Sequence, residues 1–194
     1  MDRLYFFRVM TLLAALWSLA PAHADWMVQD TSRIGVVSIK NNSIGENNAF
    51  QRVSGSISEA GMVAVAIDLT SVETGVGIRN ERLQTMLFDV ASFPSATVKA
   101  TLSPAQVMAL RGGGTVTESV ALDVSLYGTT VSKTAELLVS VLDDDVRVTS
   151  TQPIMITAQD FGLASGVAAL QKIAGLSAIS RSIPITVDLR LTAN

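Results

Sequence analysis

The chain is organised around the segment Arg79-Asn-Glu-Arg-Leu-Gln-Thr-Met-Leu-Phe-Asp-Val-Ala-Ser-Phe-Pro94, because its apolar residues do not alternate as they do elsewhere. With the residue before it, the segment places four apolar side chains near one face of a 3.6-residue spiral: Ile78, Leu83, Met86 and Leu87. This pattern predicts a short amphipathic helix. Phe88 and Phe93 bracket a turn closed by Pro94, since the residue before a proline is pushed into an extended conformation. We expect the helix to form a lid at a sheet edge, over an apolar interior.

Segments with alternating hydrophobicity lie on both sides of this helix. In the last of them, Ile183, Ile185 and Val187 point one way while Thr186 and Asp188 point the other, a period of two that is typical of a half-buried strand. Similar patterns predict strands at residues 33–40, 50–58, 62–69, 96–102, 116–127, 131–142, 146–150, 154–158 and 183–191. About eight strands of this kind indicate an antiparallel sandwich or barrel.

Two further short helices are predicted between strands. Ser103 is a favourable N-cap, Pro104 suits the first helical position, and glycines follow residues 105–110. The second predicted helix covers residues 168–176, where leucine and isoleucine recur at helical spacing. Both helices are expected to be excursions from the sheet.

Composition narrows the function classes. The chain has 194 residues, 48% hydrophobic and 16% charged, which suits one domain with a sizeable core. Its 14 Lys and Arg residues are scattered and offset by 17 Asp and Glu residues, so a nucleic-acid partner is not expected. The chain has no cysteine, which excludes disulfides and thiolate sites.

Residues 1–24 resemble a cleavable signal peptide. Arg3 and Arg8 precede an apolar run over residues 9–20, and Ala22-His-Ala24 matches the small-x-small pattern of a cleavage site. The run is short for a membrane span, which needs roughly 20 residues, so we expect export without stable membrane insertion; an uncleaved anchor is the alternative. The mature domain, residues 25–194, would be periplasmic or secreted. It would carry 12 basic and 16 acidic residues, a formal charge of −4, and no histidine.

The mature chain offers little for catalysis, and we expect no enzyme, no metal site and no cofactor. Without His or Cys, the Ser-His-Asp and Cys-His arrangements and the common zinc sites are excluded. Hydrolysis by two carboxylates stays formally open, although no spacing singles out a pair. The acidic residues 143–145 could bind calcium, yet such a run more often forms a solvated turn.

Arg79 and Arg82 are the candidate polar residues of the lid. They could face an anionic ligand head group, pair with Glu81 or Glu73, or be solvated. The sequence leaves these three alternatives open.

Several motifs together resemble the YceI-like family of exported lipid-binding proteins, over about residues 32–191. They are Ser54-Gly-Ser-Ile57, Arg79-Asn-Glu-Arg-Leu83 leading to Phe88-Asp-Val90 and Phe93-Pro94, Leu126-Tyr-Gly-Thr-Thr-Val131, Asp160-Phe-Gly162 and Ile183-Pro-Ile-Thr-Val-Asp-Leu189. The second motif is the most specific. Two features depart from the family pattern: many members have His where Arg82 stands, and the lid helix is about one residue shorter.

The resemblance implies an all-β fold with two or three short helices, an eight-stranded antiparallel lipocalin-like β-barrel. It also implies a cavity that holds a polyisoprenoid, an isoprenoid quinone or a fatty-acid derivative. The ligand-binding residues would be Phe50, Val65, Ile67, Leu69, Leu83, Leu87, Phe88, Phe93, Leu122, Val124, Leu126, Leu137, Val139, Phe161, Leu170, Ile173, Ile185 and Val187, with Arg79 and Arg82 at the head group. Each CH₂ removed from water would contribute roughly 0.8 kcal/mol.

We therefore expect a non-enzymatic carrier or sequestering protein for an apolar small molecule, with a homodimer left open. The alternative is a barrel filled by its own side chains that works through its surface as an interaction or stress-response module. An elongated apolar cavity opening beside Phe88 and Phe93 would favour the carrier.

Overall fold

The computed structural model describes residues 24–194, so the predicted signal peptide up to residue 23 lies outside the described residues. The described chain contains twelve strands: β1 (Ala24–Val28), β2 (Arg33–Lys40), β3 (Ile44–Phe50), β4 (Val53–Ser58), β5 (Met62–Asp68), β6 (Val72–Glu73), β7 (Ser95–Thr101), β8 (Gly114–Leu126), β9 (Thr129–Leu142), β10 (Asp145–Ser150), β11 (Ile154–Thr157) and β12 (Ser182–Ala193). The helices are α1 (Gly77–Arg82), α2 (Pro104–Arg111) and α3 (Ala164–Ile173), with a 3₁₀ turn at Leu69–Ser71 and a π-helical turn at Leu83–Leu87.

The strands form an eight-stranded closed antiparallel barrel, as the sequence predicts. Four of the eight barrel strands are interrupted and consist of two segments each: β1 with β2, β3 with β4, β5 with β6, and β10 with β11. Each barrel strand pairs with its neighbour along the chain, and β12 pairs with both β1 and β2 to close the ring.

Backbone geometry at two glycines supports this arrangement. Tyr127 and Gly128 have positive φ angles of 52° and 76° and form the two-residue turn between β8 and β9, as tight hairpins require. At Gly55, where the sequence predicts a bulge or a close backbone approach, a Cβ atom would collide with the carbonyl oxygen of Ala64 on the paired strand. The close approach is confirmed.

Helices stand at the two ends of the barrel. We call α1 with the π-helical turn, residues 77–87, the lid; it follows β6 and packs against α3, where Gly166 lies close to Leu87. Helix α2 lies at the opposite end, between β7 and β8. Among residues 24–194, no helix combines the length and the apolar character that crossing a bilayer requires.

Buried apolar side chains form two clusters inside the barrel. The cluster on the lid side includes Phe50, Leu69, Phe88 and Phe161, and partly buried residues of β8 and β12 pack against it. The cluster at the α2 end includes Trp26, Val107, Leu110, Val146 and Leu191. Residues of both clusters line the cavity inside the barrel.

The predicted elements match the observed ones except at β1, β3, β6 and α3; β6 is a two-residue strand that the alternation pattern does not predict. Most of strand β3 was not predicted, because its Asn and Gly residues are unfavourable in strands; pairing with β2 over seven residues overrides that preference. Strand β1 was not predicted. Helix α3 begins at Ala164 and ends at Ile173, four and three residues earlier than predicted.

Candidate functional site

An apolar cavity of about 590 Å³ occupies the interior of the barrel. This volume lies within the range of small-molecule sites. Sixteen of the apolar residues predicted from the sequence line it: Phe50, Val65, Ile67, Leu69, Leu83, Leu87, Phe88, Leu122, Val124, Leu126, Leu137, Val139, Leu170, Ile173, Ile185 and Val187. Their role in binding a ligand stays a prediction.

Strand alternation explains why the lining is apolar. On β8, Val120, Leu122 and Val124 line the cavity, while Asp123 lies outside and accepts a hydrogen bond from Ser132. A closed barrel turns one face of every strand inward, so the apolar faces converge. The cavity wall is therefore a direct consequence of the period-two pattern.

The cavity reaches the surface at the lid end. Val76 and Ile78, at the start of the lid, and Ile173, at the end of α3, all line the cavity, yet they are 40%, 53% and 49% exposed. We call these three residues the mouth. Exposed apolar side chains grouped at the rim of a cavity are typical of a ligand-binding site.

A charged cluster lies on the lining near the mouth. The carboxylate of Glu46 accepts hydrogen bonds from Lys40 Nζ at 2.7 Å and from Arg79 Nη1 at 2.7 Å. The hydrogen bond from Lys40 and the charges of Lys40 and Arg79 outweigh burial and hold the pKa of Glu46 below its ordinary value. Arg79 therefore joins the lid to β3, and it shares the single carboxylate of Glu46 with Lys40, so the three groups together keep a net positive charge.

Asn48, two residues along β3, adds a polar point to the lining. Its Nδ2 atom donates to Ser38 Oγ at 3.0 Å and to the carbonyl oxygen of Glu46 at 3.2 Å. Its Oδ1 atom is buried without a hydrogen-bond partner in the described chain. Such an atom is usually satisfied by a ligand or an ordered water.

Arg82, also on the lid, differs from Arg79. It is half-buried and lines the cavity, and within residues 24–194 its guanidinium has no hydrogen-bond or ion-pair partner. The start of the lid is held separately, because Asn80 Oδ1 accepts hydrogen bonds from the backbone N–H of Thr74 at 3.0 Å and from its hydroxyl at 2.6 Å. Of the three alternatives for the two arginines, Arg79 takes an ion pair, with Glu46 rather than Glu81 or Glu73.

Helix α2 closes the other end of the cavity, and we call it the floor. Gln106 and Ala109 line the cavity from this helix, and Glu118 lines it from β8. Gln106 Nε2 donates to Glu118 Oε2 at 3.1 Å. Of the residues that line the cavity, the two carboxylates, Glu46 and Glu118, lie at its opposite ends, so the carboxylate pair that hydrolysis would need is not assembled there.

The structure places two predicted ligand-binding residues elsewhere. Phe93 packs against Tyr127, with ring centroids 4.6 Å apart, because the turn before Pro94 directs it to the β8–β9 hairpin. Phe161 is almost completely buried in the lid-side cluster, since the loop after β11 folds it under α3. The cavity therefore opens at the mouth and not beside Phe93, although Phe88 does line it.

The polar lining residues that the sequence analysis does not predict include Lys40, Glu46, Asn48, Gln106 and Glu118. Glu118 shares the even-numbered face of β8 with Val120, so alternation alone could have placed it inside. The others depend on β3 and on the docking of α2, which the local pattern does not specify. In the part of the chain that the structure describes, no group of three acidic side chains is arranged to hold a metal ion, residues 143–145 included.

Comparisons with known proteins place the chain among related barrels. The family model of the YceI-like domain matches residues 17–191. A structure of a polyisoprenoid binding domain from Saccharophagus degradans, implicated in plant cell wall breakdown, is 32% identical; the match covers 89% of this chain and all of that one, with a TM-score of 0.84. No curated protein matches the chain.

More distant structures share the fold alone. BcnA from Burkholderia cenocepacia is 19% identical over 82% of this chain and 95% of its own, with a TM-score of 0.63. A YceI protein from Campylobacter jejuni is 13% identical over 76% of this chain and 84% of its own, with a TM-score of 0.55.

Proposed function

Because the chain belongs to the YceI-like family, we propose that it is a non-enzymatic protein that holds one long apolar or amphiphilic molecule inside its barrel. The ligand is a polyisoprenoid, an isoprenoid quinone or a fatty-acid derivative. Binding serves transport, storage or sequestration. A related domain of the same fold, 32% identical to this chain, is described as polyisoprenoid binding.

The apolar cavity is the observation that carries this proposal. A barrel filled by its own side chains would leave no space of about 590 Å³. Filling that space with an apolar chain removes CH₂ groups from water, each contributing roughly 0.8 kcal/mol. A ligand of this kind is held without covalent chemistry or a metal, so the absence of cysteine and of histidine beyond residue 23 does not weaken the proposal.

The head group of the ligand lies at the mouth end, next to Arg82. An unpaired guanidinium on a half-buried, apolar lining favours a phosphate or carboxylate, because a charge-assisted hydrogen bond is stronger than a neutral one. The unpaired acceptor Asn48 Oδ1 lies on the same lining, near the Lys40 and Glu46 cluster. Arg79 holds the lid in place.

We place the mature protein outside the cytoplasm, as a periplasmic or secreted protein that begins at Asp25. Strand β1 begins at Ala24 and pairs with β4 and β12, so cleavage after Ala24 would leave nearly all of this strand in the barrel. The domain would then carry its ligand through an aqueous compartment between membranes or away from one.

Native mass spectrometry of protein purified from its own compartment tests both parts of the proposal. We expect a polypeptide that starts at Asp25, with an added mass that organic extraction removes and identifies as a long-chain apolar molecule. A soluble polypeptide that retains Met1 would contradict export. Protein that carries no such molecule and binds no long-chain probe would contradict the carrier function.

A further inference from the structure

The two ends of the cavity are closed in different ways. At the mouth, Val76, Ile78 and Ile173 are half exposed, so this end is bordered by side chains that solvent reaches. At the floor, a whole helix, α2, crosses the end of the barrel between β7 and β8. When a ligand enters through the mouth with its apolar tail leading, the end of the tail reaches α2 at the far end of the cavity.

Hydrogen bonds fix the start of α2. Ser103 Oγ accepts from the backbone N–H of Gln106 at 3.3 Å, and Gln106 Oε1 accepts from the backbone N–H of Ser103 at 2.9 Å, which forms a capping box. The same glutamine donates through Nε2 to Glu118 Oε2 at 3.1 Å and to the carbonyl oxygen of Ser119 at 3.3 Å. One side chain therefore caps the helix and ties it to β8.

Apolar packing fixes the rest of α2. Val107 and Leu110 are 8% and 5% exposed and belong to the buried cluster that also contains Trp26, Val146 and Leu191. Moving the helix aside would expose both apolar side chains to water, which is unfavourable. Displacement of this helix by a ligand tail would therefore lose the burial of Val107 and Leu110.

Ala109 presents the smallest side chain of the floor to the cavity. It lies between the tethered Gln106 and the buried Leu110, and all three line the cavity. A methyl group at this position leaves the space above it open, whereas a larger side chain would extend into the cavity along its axis. The identity of residue 109 thus determines where the cavity ends.

The depth of the cavity follows from β8, whose residues from Glu118 near the floor to Leu126 near the mouth line it. At a rise of about 3.3 Å per residue these eight steps span about 26 Å along the strand. A strand tilt of roughly 40° reduces this to about 20 Å along the barrel axis. A chain longer than that depth has to fold back or leave part of itself in the mouth.

We propose that α2 is a fixed floor that limits the chain length of the ligand, and that Ala109 is the residue that sets the limit. This inference rests on the proposed function, because it assumes that an apolar chain occupies the cavity. It adds that affinity rises with chain length only until the chain end reaches α2. Beyond that point, each added CH₂ stays in water and contributes nothing.

A homologous series of saturated fatty acids, from dodecanoic to docosanoic acid, tests the proposal by displacement of a fluorescent fatty acid. The test compares the wild-type protein with Ala109→Trp and with Ala109→Leu, whose smaller side chain is tolerated more easily. The matched control is Met108→Trp, because Met108 is on the same helix but 72% exposed and outside the lining. Thermal melting checks that every variant is folded.

We expect wild-type affinity to rise with chain length and then level off. Ala109→Trp should level off at a shorter chain and bind the longest acid at least tenfold more weakly, while the shortest acid binds as in the wild type. Ala109→Leu should shift the limit in the same direction by less, and Met108→Trp should match the wild type.

Two results would overturn the proposal, and they differ from each other. The wild type could bind the acids while the Ala109 variants lose affinity equally for all chain lengths, or for none. In that case α2 does not limit the chain length, and the carrier function stands. If the wild type binds no acid of the series and none of the prenyl alcohols tested beside it, the proposed function fails and the chain-length limit fails with it.

Discussion

Arg79 and Arg82 lie one helical turn apart on the lid, and the fold gives them different roles. Arg79 pairs with Glu46 at 2.7 Å, whereas Arg82 lines the cavity without a partner in the described chain. Of the two lid arginines, Arg82 is therefore the one whose guanidinium remains available to a ligand. Glu81, between them, is exposed and points away from the cavity lining.

Replacing Arg82 by Ala should weaken binding of an anionic ligand selectively. A hydrogen bond to a charged group contributes about 1.5–3 kcal/mol, so the affinity for a long-chain fatty acid should fall about ten- to a hundredfold. Affinity for the alcohol of the same chain length should change much less. Fluorescence displacement with both ligands measures the difference.

The matched control for this substitution is Arg79→Ala. Because Arg79 is paired with Glu46, its loss should affect the acid and the alcohol to the same extent, through the position of the lid. Equal losses for acid and alcohol in Arg82→Ala would give Arg82 a structural role only.

The Glu46 cluster should make the mouth end sensitive to acid. Bonding to Lys40 and Arg79 lowers the pKa of Glu46 in the folded state, so its contribution to stability is complete above the unfolded-state pKa and is lost as the pH falls through the folded-state pKa. Glu46→Gln should lower Tm at neutral pH by about 2–4 °C. The difference from the wild type should shrink as the pH falls below about 4.

Differential scanning fluorimetry at neutral and acid pH checks this expectation. The comparison with Glu46→Gln is needed because Glu46 is not alone in having a lowered pKa: the hydrogen bond from Lys133 also lowers the pKa of Asp160. If the difference in Tm between the wild type and Glu46→Gln is the same at every pH, Glu46 has no titrating role.

At the scale of elements, the lid and α3 meet through a glycine. A Cβ atom on Gly166 would lie 2.9 Å from Leu87 Cδ1 and 3.1 Å from the carbonyl oxygen of Met86, at the π-helical turn. Turns of this kind inside helices often mark functional sites. The close approach lets α3 cover the lid while Leu87 reaches the cavity.

A larger side chain at residue 166 should separate the lid from α3. Gly166→Val should destabilise the fold by about 1–3 kcal/mol through overpacking and speed dissociation of a bound fatty acid. Gly166→Ala should cost less, because helix propensity offsets the tight contact. Ala169→Val, at an exposed position of the same helix, is the control. Thermal melting and stopped-flow dissociation measure both effects; a fast dissociation in the control as well would rule out the contact as the cause.

At the scale of the whole molecule, barrel closure brings the apolar faces of eight strands together around one apolar space. The same strands could fill that space with their own side chains, and it is the cavity of about 590 Å³ that favours a ligand. A larger side chain inside the barrel should therefore displace the ligand and leave the packing of the barrel intact.

Val124→Phe and Leu137→Trp enlarge inward residues that line the cavity. In a filled core such changes cost typically 1–3 kcal/mol; here we expect a small change in Tm and at least a tenfold loss of affinity for a long-chain probe. Ala121→Phe, an exposed position of β8 outside the lining, should leave both quantities as in the wild type. Strong destabilisation of both inward variants, in a protein that binds no probe, would indicate a packed core.

The sequence by itself determined most of the strands, the lid helix and the apolar character of the interior, but not β1, β3 or β6. Period-two alternation is a local property, and in a closed barrel it fixes which side chains point inward. Alternation places residues such as Val65, Leu122 and Ile185 on the inward face, and all three line the cavity. The capping signals of Ser103 and Pro104 located α2 for the same reason.

Only the tertiary structure decided which polar groups meet at the two ends of the cavity. Glu46 reaches Arg79 because β3, rich in Asn, pairs with β2 and brings residues 33 positions apart into contact. Phe93 and Phe161 do not line the cavity, because a turn and a loop direct their rings elsewhere. The geometry of that turn and that loop depends on what they pack against. Local periodicity sets the facing of a strand, but loop docking and ion pairing depend on long-range contacts that no local pattern contains.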